Sequence, residues 1–192
     1  MTARTHDLAA ITLLGVVYLL GPAPTVTLGT AIMAVLANLI GGITPDVDQP
    51  TAPFWRNLPI GGFFGRIFDR LLGGHRFLTH SIAGLVIFGF AVHWVLLFLR
   101  PILGTINIGL VWWAFMLGML SHLIMDSFTK EGVPWLLPIP IKFGFPPLRR
   151  LRITTGKLGE TWLVFPGLLA FNFLFYYAHY QQLLDILHRH IV

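Results

Sequence analysis

Five long apolar segments constrain the fold of this chain more than any other feature of its sequence. They cover approximately residues 8–20, 26–43, 81–99, 107–127 and 161–178. A helix of about 20 residues crosses the hydrocarbon core of a bilayer, so the last three segments fit that length well. The first two are marginal by length and could instead form a tight helical hairpin. We predict an all-α membrane protein, a bundle of about four to five transmembrane helices, in one integral-membrane domain over 1–192.

Charged residues are scarce in this sequence. Only 11% of the residues are charged and 55% are hydrophobic, with a mean hydropathy of +0.75. A soluble domain carries about 25% charged residues, so this chain has too little charge to cover a water-facing surface. There is no cysteine. Disulfides, thiolate ligands and cysteine nucleophiles are therefore excluded, and any metal must bind to His, Asp or Glu.

The segments outside the apolar runs give two further expectations. The first 20 residues contain an apolar run but no clear small-x-small cleavage site, so we expect a retained helix rather than a signal peptide. In the polar stretch 44–80 we predict an amphipathic helix near Phe63–Leu72. Five prolines within Val133–Pro147 exclude a continuous helix there. The polar stretch 128–160 contains these prolines. A re-entrant segment and a short β-like segment are both left as alternatives for it.

The distribution of basic residues predicts the orientation. If all five segments cross, eleven of the thirteen Lys and Arg residues fall on the side of the N-terminus and of the loops 44–80 and 128–160. Cytoplasmic loops are enriched in Lys and Arg, so that side should face the cytoplasm. Each such charge contributes about 1 kcal/mol of attraction to anionic headgroups, which makes membrane lipids the expected partners. The basic charge therefore does not require a nucleic-acid partner.

Three clusters of His and Asp residues lie on this same side. The first holds Asp46 and Asp48, the second His75, Arg76 and His80, and the third His122 and Asp126. His6 and Glu160 lie just before the first and fifth segments. Residues four apart on a helix share a face, so one ion or two neighbouring ions could bind His122 and Asp126. Several histidines together with carboxylates suit Zn²⁺, Mn²⁺ or Fe²⁺ better than Ca²⁺ or Mg²⁺.

These clusters predict a metal site of one or two divalent transition-metal ions, with Zn or Mn preferred. The first choices as ligands are Asp46, Asp48, His80, His122 and Asp126. The second choices, as a further ligand or a general base, are His6, His75 and Glu160. Arg76 could hold a non-bridging oxygen of a phosphoester. The remaining histidines lie away from the clusters, and we interpret them as structural or interfacial.

The segments GGITPDVDQP, HRFLTHS and LGMLSHLIMDSFTKEGVPWLLPIPIKF resemble those of the bacterial inner-membrane, metal-dependent hydrolases. That family is also known as the LexA-binding, inner-membrane-associated hydrolases. The resemblance extends from His6 to about Glu160 and shows no departure at the ionisable positions. It implies a multi-pass protein of the bacterial inner membrane. The His-x-x-x-Asp pair is also weakly similar to a zinc-ligating pair in the zinc-dependent phospholipase C group, which hints at phosphoester substrates.

The expected function is hydrolysis of a phosphoester or ester of a lipid or another amphiphile at the cytoplasmic membrane face. A bound metal ion lowers the pKa of water to about 7, and a site at headgroup depth suits such a substrate. The alternative is a non-catalytic membrane protein with a structural metal site or a metal-handling role. A carrier should have ligands at the bilayer midplane, whereas the clusters here lie at one side.

Overall fold

A computed structural model describes residues 1–21, 26–74, 76–139 and 141–190 of the chain. Within these residues five helical spans are long and apolar enough to cross a membrane, which confirms the predicted membrane bundle. They are α1 (Ala3–Leu20), α2 (Leu28–Ile43, continued by a 3₁₀ turn at Thr44–Asp48), α5 (Ile82–Leu103), α6 (Ile108–Ser127) and α7 (Phe165–Ala178, preceded by a π-helical turn at Glu160–Val164). The helix α8 (Tyr180–His190) follows them.

The first span begins earlier in the chain than the apolar pattern predicted. Helix α1 starts at Ala3, because hydrogen bonds from Thr2 and Thr5 to the Glu160 carboxylate hold its first turn against the start of the fifth span. This extension gives α1 18 residues, so its length no longer argues for a short hairpin.

Helices α2 and α6 form the closest pair in the bundle. A Cβ at Gly118 would collide with the backbone of Asn38, and one at Gly41 would collide with the carbonyl of Phe115. Small residues let helix backbones approach in membranes, where packing rather than hydrophobicity drives association. The buried amide of Asn38 also donates a hydrogen bond of 3.0 Å to the carbonyl of Ala114 across this contact. The carboxyl ends of both helices are therefore fixed relative to each other.

The loop between α2 and α5 contains the predicted amphipathic helix. It forms α4 (Gly61–Leu71), which follows one short turn, α3 (Pro53–Arg56). Gly61 and Gly65 face Trp55, because a Cβ at either position would meet that residue. Phe63, Phe64 and Leu71 remain exposed.

The proline-rich stretch folds without a strand or a long helix among its described residues. Val133 and Phe143 form an isolated antiparallel bridge, and Thr129 and Ile153 form a parallel one. A short 3₁₀ turn lies at Arg149–Leu151. Val133 packs with the buried Met119 and Leu123 of α6, so the stretch folds back onto the end of that helix.

Candidate metal centre

The predicted His and Asp clusters come together at one end of the bundle. His6 lies in the first turns of α1, and Asp46 in the 3₁₀ turn that continues α2. His80 lies in a 3₁₀ turn (Leu78–His80) just before α5, and His122 and Asp126 lie on the last two turns of α6. Four chain segments therefore contribute to one buried group of donors.

Two imidazole nitrogens and two carboxylate oxygens form the centre of this group. His80 Nε2 lies 3.8 Å from Asp46 Oδ1 and 3.7 Å from Asp126 Oδ2. His122 Nε2 lies 3.6 and 3.7 Å from the same two oxygens. Ligands about 2.0–2.2 Å from a tetrahedral ion are separated by about 3.3–3.6 Å. The four His–Asp distances are only slightly longer. Asp46, His80 and His122 form one set of donors that could bind a metal ion, and Asp126 belongs to a second set that shares His122.

The orientation of the His122 ring fits a metal ligand. Its Nδ1 lies 2.6 Å from the carbonyl oxygen of Gly42, which can only accept a hydrogen bond. The proton therefore belongs on Nδ1, and the lone pair of Nε2 faces the donor cluster. That Nε2 atom is buried and has no hydrogen-bond partner in the structure. A backbone carbonyl that accepts a hydrogen bond from the other ring nitrogen and so fixes the ring is typical of metal-bound histidine.

His80 is oriented through a hydroxyl group rather than a carbonyl. Its Nδ1 lies 2.9 Å from Thr79 Oγ1, and that hydroxyl donates to Asp48 Oδ2. The same Asp48 oxygen accepts the backbone N–H of Arg76. Asp48, one of the predicted ligands, therefore lies behind His80 and forms a buried His–Thr–Asp chain. This chain leaves Nε2 of His80 to face the cluster.

Arg76 connects the cluster to the loop that follows α6. Its guanidinium is buried, with Nη2 2.6 Å from Asp126 Oδ2 and Nη1 3.0 Å from Thr129 Oγ1. Its φ of 60° lies in the left-handed region that non-glycine residues seldom adopt, so tertiary contacts must hold it there. His75, the neighbouring candidate, lies outside the described residues.

His6 contributes a second group of donors that shares His122. The rings of His6 and His122 are stacked, and His6 Nε2 lies 3.3 Å from Asp126 Oδ1. His6, His122 and Asp126 could hold an ion by themselves. The amino nitrogen of Met1 lies 2.5 Å from the same Asp126 oxygen and 2.9 Å from His6 Nε2.

The Glu160 carboxylate is saturated with hydrogen bonds. Oε1 accepts from the backbone N–H and the hydroxyl of Thr2 and from the hydroxyl of Thr5, and Oε2 accepts from the backbone N–H of Gly156. The side chain is buried. These contacts join the start of α1 to the start of the fifth span, close in sequence to His6.

A cavity of about 360 Å³ opens beside the donor cluster. His6 and Asp46 belong both to the cluster and to the cavity wall. Phe54 and Leu58, from the segment around α3, supply part of an apolar lining. The Asp46 side chain is 23% exposed, whereas those of His80, His122 and Asp126 are at most 1% exposed. Asp46 is therefore the most accessible of these donors from the cavity.

Sequence reasoning missed the groups that orient the donors. Thr79 stands between two predicted site residues, in HRFLTHS, but a threonine beside a histidine has no distinctive spacing. Gly42 acts through its backbone carbonyl, which no residue type reveals. Thr2 and Thr5 bind Glu160 across 155 or more positions of sequence, a distance at which a single sequence holds no pairing signal.

Comparison with known proteins places the chain in a membrane-protein family. It is 28% identical over 178 residues to the uncharacterized protein YvsG of Bacillus subtilis (strain 168), an alignment that covers 92% of this chain and 95% of that protein. No solved structure matches the chain. The sequence pattern of one family matches residues 1–183. This match confirms the expected inner-membrane family: the chain belongs to the YdjM inner membrane protein family.

Proposed function

We propose that this protein is a membrane-bound, metal-dependent hydrolase that cleaves a phosphoester or ester of a lipid or another amphiphile. The observation that carries the proposal is the cluster of His80, His122, Asp46 and Asp126 donors beside an apolar-walled cavity. A catalytic metal site needs both protein ligands and a position open to substrate. Asp46 meets the second requirement, because it belongs to the cluster and lines the cavity.

Zn²⁺ or Mn²⁺ is the proposed ion. Two imidazoles with two carboxylates are a mixed nitrogen and oxygen set, which suits these ions better than Ca²⁺ or Mg²⁺. The carboxylate oxygens of Asp46 and Asp126 that face the two imidazoles are anionic donors, which favour a divalent cation. When bound, such an ion supplies Lewis-acid chemistry and hydroxide at neutral pH.

The residues around the cluster take positioning roles in this proposal. Gly42 and the Thr79–Asp48 pair hold the two imidazoles with Nε2 directed inward. Arg76 holds Asp126 and keeps the loop after α6 beside the site. Glu160, a candidate general base from the sequence, already accepts four hydrogen bonds, which favours a role in holding α1 in place.

The site is proposed to face the cytoplasm. Its donors lie at the end of the bundle that carries the loops 44–80 and 128–160, where most of the basic residues are found. The positive-inside rule then puts this end in the cytoplasm. A substrate bond at the headgroup level of the inner leaflet could reach such a site without crossing the bilayer.

The structural alternative has one specific observation in its favour. Three of the four central side chains are almost completely buried, as in a closed site with four protein ligands. A metal-stabilised scaffold would account for this burial without any reaction. A carrier fits less well, because the donors lie at one end of the spans rather than at the midplane.

Metal content is the first test of the proposal. The protein, purified in detergent and reconstituted with each candidate ion, is compared by mass spectrometry with a His122→Ala/Asp126→Ala variant. The control is His93→Ala, at an exposed histidine of α5 outside the donor cluster. We expect bound Zn or Mn in the parent and in the control, and none in the double variant. Absence of metal from all three proteins would refute the metal site.

Hydrolysis and coordination separate the enzyme from the scaffold. Lipid phosphoesters and esters in mixed micelles are screened with the metal-loaded parent and with the double variant. In parallel, the absorption spectrum of the Co²⁺-substituted parent is followed during titration with azide. An azide-dependent change indicates an open position and supports the enzyme, whereas a saturated spectrum together with no hydrolysis supports the structural site.

A further inference from the structure

The cavity beside the donor cluster contains a carboxylate that the proposed metal site does not use. Asp7 follows His6 on α1 and lines the same cavity. Its side chain is half-buried, and the electrostatic interaction found for it among the described residues is with the adjoining His6. A partly desolvated carboxylate with only a neighbouring imidazole beside it is unfavourable, so a cationic group bound opposite it would relieve that penalty.

A second observation also indicates a ligand in this cavity. His6 lines the wall beside Asp7, and its side chain is 1% exposed. Its Nδ1 atom is buried and has no hydrogen-bond partner. Buried polar atoms are nearly always satisfied, so this nitrogen favours a polar ligand group close to His6, and the cavity that His6 lines has room for one.

The remaining walls limit what the ligand can be. With Asp46 bound to an ion, Asp7 is the remaining carboxylate of the cavity wall, and it favours a headgroup that carries a positive charge over a purely anionic one. Phe54 and Leu58 add apolar surface. A volume of about 360 Å³ lies near the lower end of the usual range for small-molecule pockets, about 300–1,000 Å³. That volume holds a headgroup, while the acyl chains of a lipid would remain outside.

We propose that this cavity recognises an amine-bearing headgroup, with the Asp7 carboxylate as counter-ion of the ammonium group. The inference rests on the proposed function and names its substrate class: a zwitterionic amphiphile in which a phosphoester lies next to a primary amine. The ammonium pairs with Asp7, and the phosphate is directed to the donor cluster. Asn57, also in the wall, offers an uncharged partner for a neighbouring ester or hydroxyl oxygen.

Headgroup selectivity in binding tests this inference apart from hydrolysis. Isothermal titration in detergent measures the affinity of the parent for dihexanoyl phosphatidylethanolamine and dihexanoyl phosphatidylglycerol, with and without Zn²⁺. O-phosphoethanolamine, the water-soluble headgroup without acyl chains, is titrated as well. It distinguishes recognition of the free headgroup from recognition of the lipid. The variants are Asp7→Asn and a matched control, Asp185→Asn, whose side chain is exposed on α8.

We expect the parent to prefer the ethanolamine lipid by about tenfold, the size of a charge-assisted hydrogen bond in a partly desolvated site. Asp7→Asn should abolish this preference with little effect on the glycerol lipid, and Asp185→Asn should retain it. Equal affinity of the parent for both lipids, or an equal loss for both in Asp7→Asn, would overturn the inference. If metal content falls in Asp7→Asn, Asp7 is instead a ligand of a second ion, which also overturns it.

The results separate this inference from the proposed function. If the parent binds metal and hydrolyses lipids without headgroup preference, the result supports the proposed function and contradicts the inference about the amine-bearing headgroup. If the parent prefers the ethanolamine headgroup but binds no metal, the result supports the recognition site and contradicts the metal-dependent hydrolase.

Discussion

The imidazole rings of His6 and His122 lie parallel, with centroids 3.6 Å apart and an angle of 4° between their planes. One ring comes from the start of α1 and the other from the end of α6. The stack fixes the plane of His122 on one side, while the hydrogen bond from its Nδ1 to Gly42 fixes its rotation. His6 thereby supports a neighbouring donor whether or not it also binds an ion.

Substitutions of His6 should separate its two roles. We expect His6→Ala to lower metal affinity about 10- to 100-fold, the usual effect of removing a group that orients a ligand. His6→Phe keeps an aromatic ring against His122 and should retain most of the affinity. Competition with a fluorescent chelator measures both values. An equal loss in the two variants would mean that a His6 nitrogen binds the ion directly.

The hydroxyl of Thr79 should control metal affinity through His80. Thr79→Val removes the link between His80 Nδ1 and the Asp48 carboxylate, and we expect a loss of about 10- to 100-fold. Thr79→Ser retains the hydroxyl group and serves as the matched control. Chelator competition is again the measurement. Parent-like affinity in Thr79→Val would show that the His80 ring is held by packing alone.

Glu160 should contribute to stability more than to chemistry. In Glu160→Gln the side chain loses its charge, and its amide nitrogen cannot accept the bonds that one carboxylate oxygen now accepts. We expect a loss of about 1–3 kcal/mol in the free energy of unfolding, seen as a lower Tm in detergent. Metal content should be unchanged. A variant with a parent-like Tm but no hydrolytic activity would instead identify Glu160 as the general base.

The contact between α2 and α6 should tolerate no added methyl group at Gly118. Alanine is the better helix former by about 1 kcal/mol, yet its Cβ would collide with the backbone of Asn38. Overpacking typically costs about 1–3 kcal/mol, and one turn further along α6 lies His122, so we expect a lower Tm together with weaker metal binding. Gly167→Ala on α7, where nothing lies within 4 Å, is the control and should not lower Tm.

The absence of cysteine makes the membrane orientation directly testable. Single substitutions Leu158→Cys, in the loop before the fifth span, and Thr105→Cys, between α5 and α6, are exposed sites on opposite sides of the bundle. With a membrane-impermeant maleimide, we expect Thr105→Cys to react when the periplasmic face is accessible. Leu158→Cys should react only after the inner membrane is opened. The reverse pattern would invert the proposed topology.

The membrane fold was predictable because few kinds of backbone structure can cross a lipid bilayer. Apolar segments near 20 residues in length, with very few charged residues, identify helical spans without any knowledge of their neighbours, as α5 and α6 demonstrate. The start of α1 was not predictable, because Thr2 and Thr5 are stabilised there by Glu160, which lies more than 150 residues further along the chain. Helix packing was equally hidden, since Gly41 and Gly118 reveal their role only when their backbones meet.

The gathering of His and Asp residues at one end also followed from the sequence, because alternating spans return the chain to the same membrane side. The roles within the group did not follow. Asp46 and Asp48 are two positions apart and look alike as candidates, yet Asp46 Oδ1 faces both imidazoles while Asp48 accepts the hydroxyl of Thr79. Only the direction of each side chain in the 3₁₀ turn separates them.

The order of the donors along the chain has a consequence for biogenesis. Asp46 enters the membrane region with the second span, His80 precedes the third, and His122 and Asp126 end the fourth. During synthesis, a nascent chain with only its first three spans inserted holds just part of the donor group. The cluster is completed only when the fourth span packs against the second. Loading with an ion would therefore follow insertion, and a chain stalled before that step could not capture one at this site.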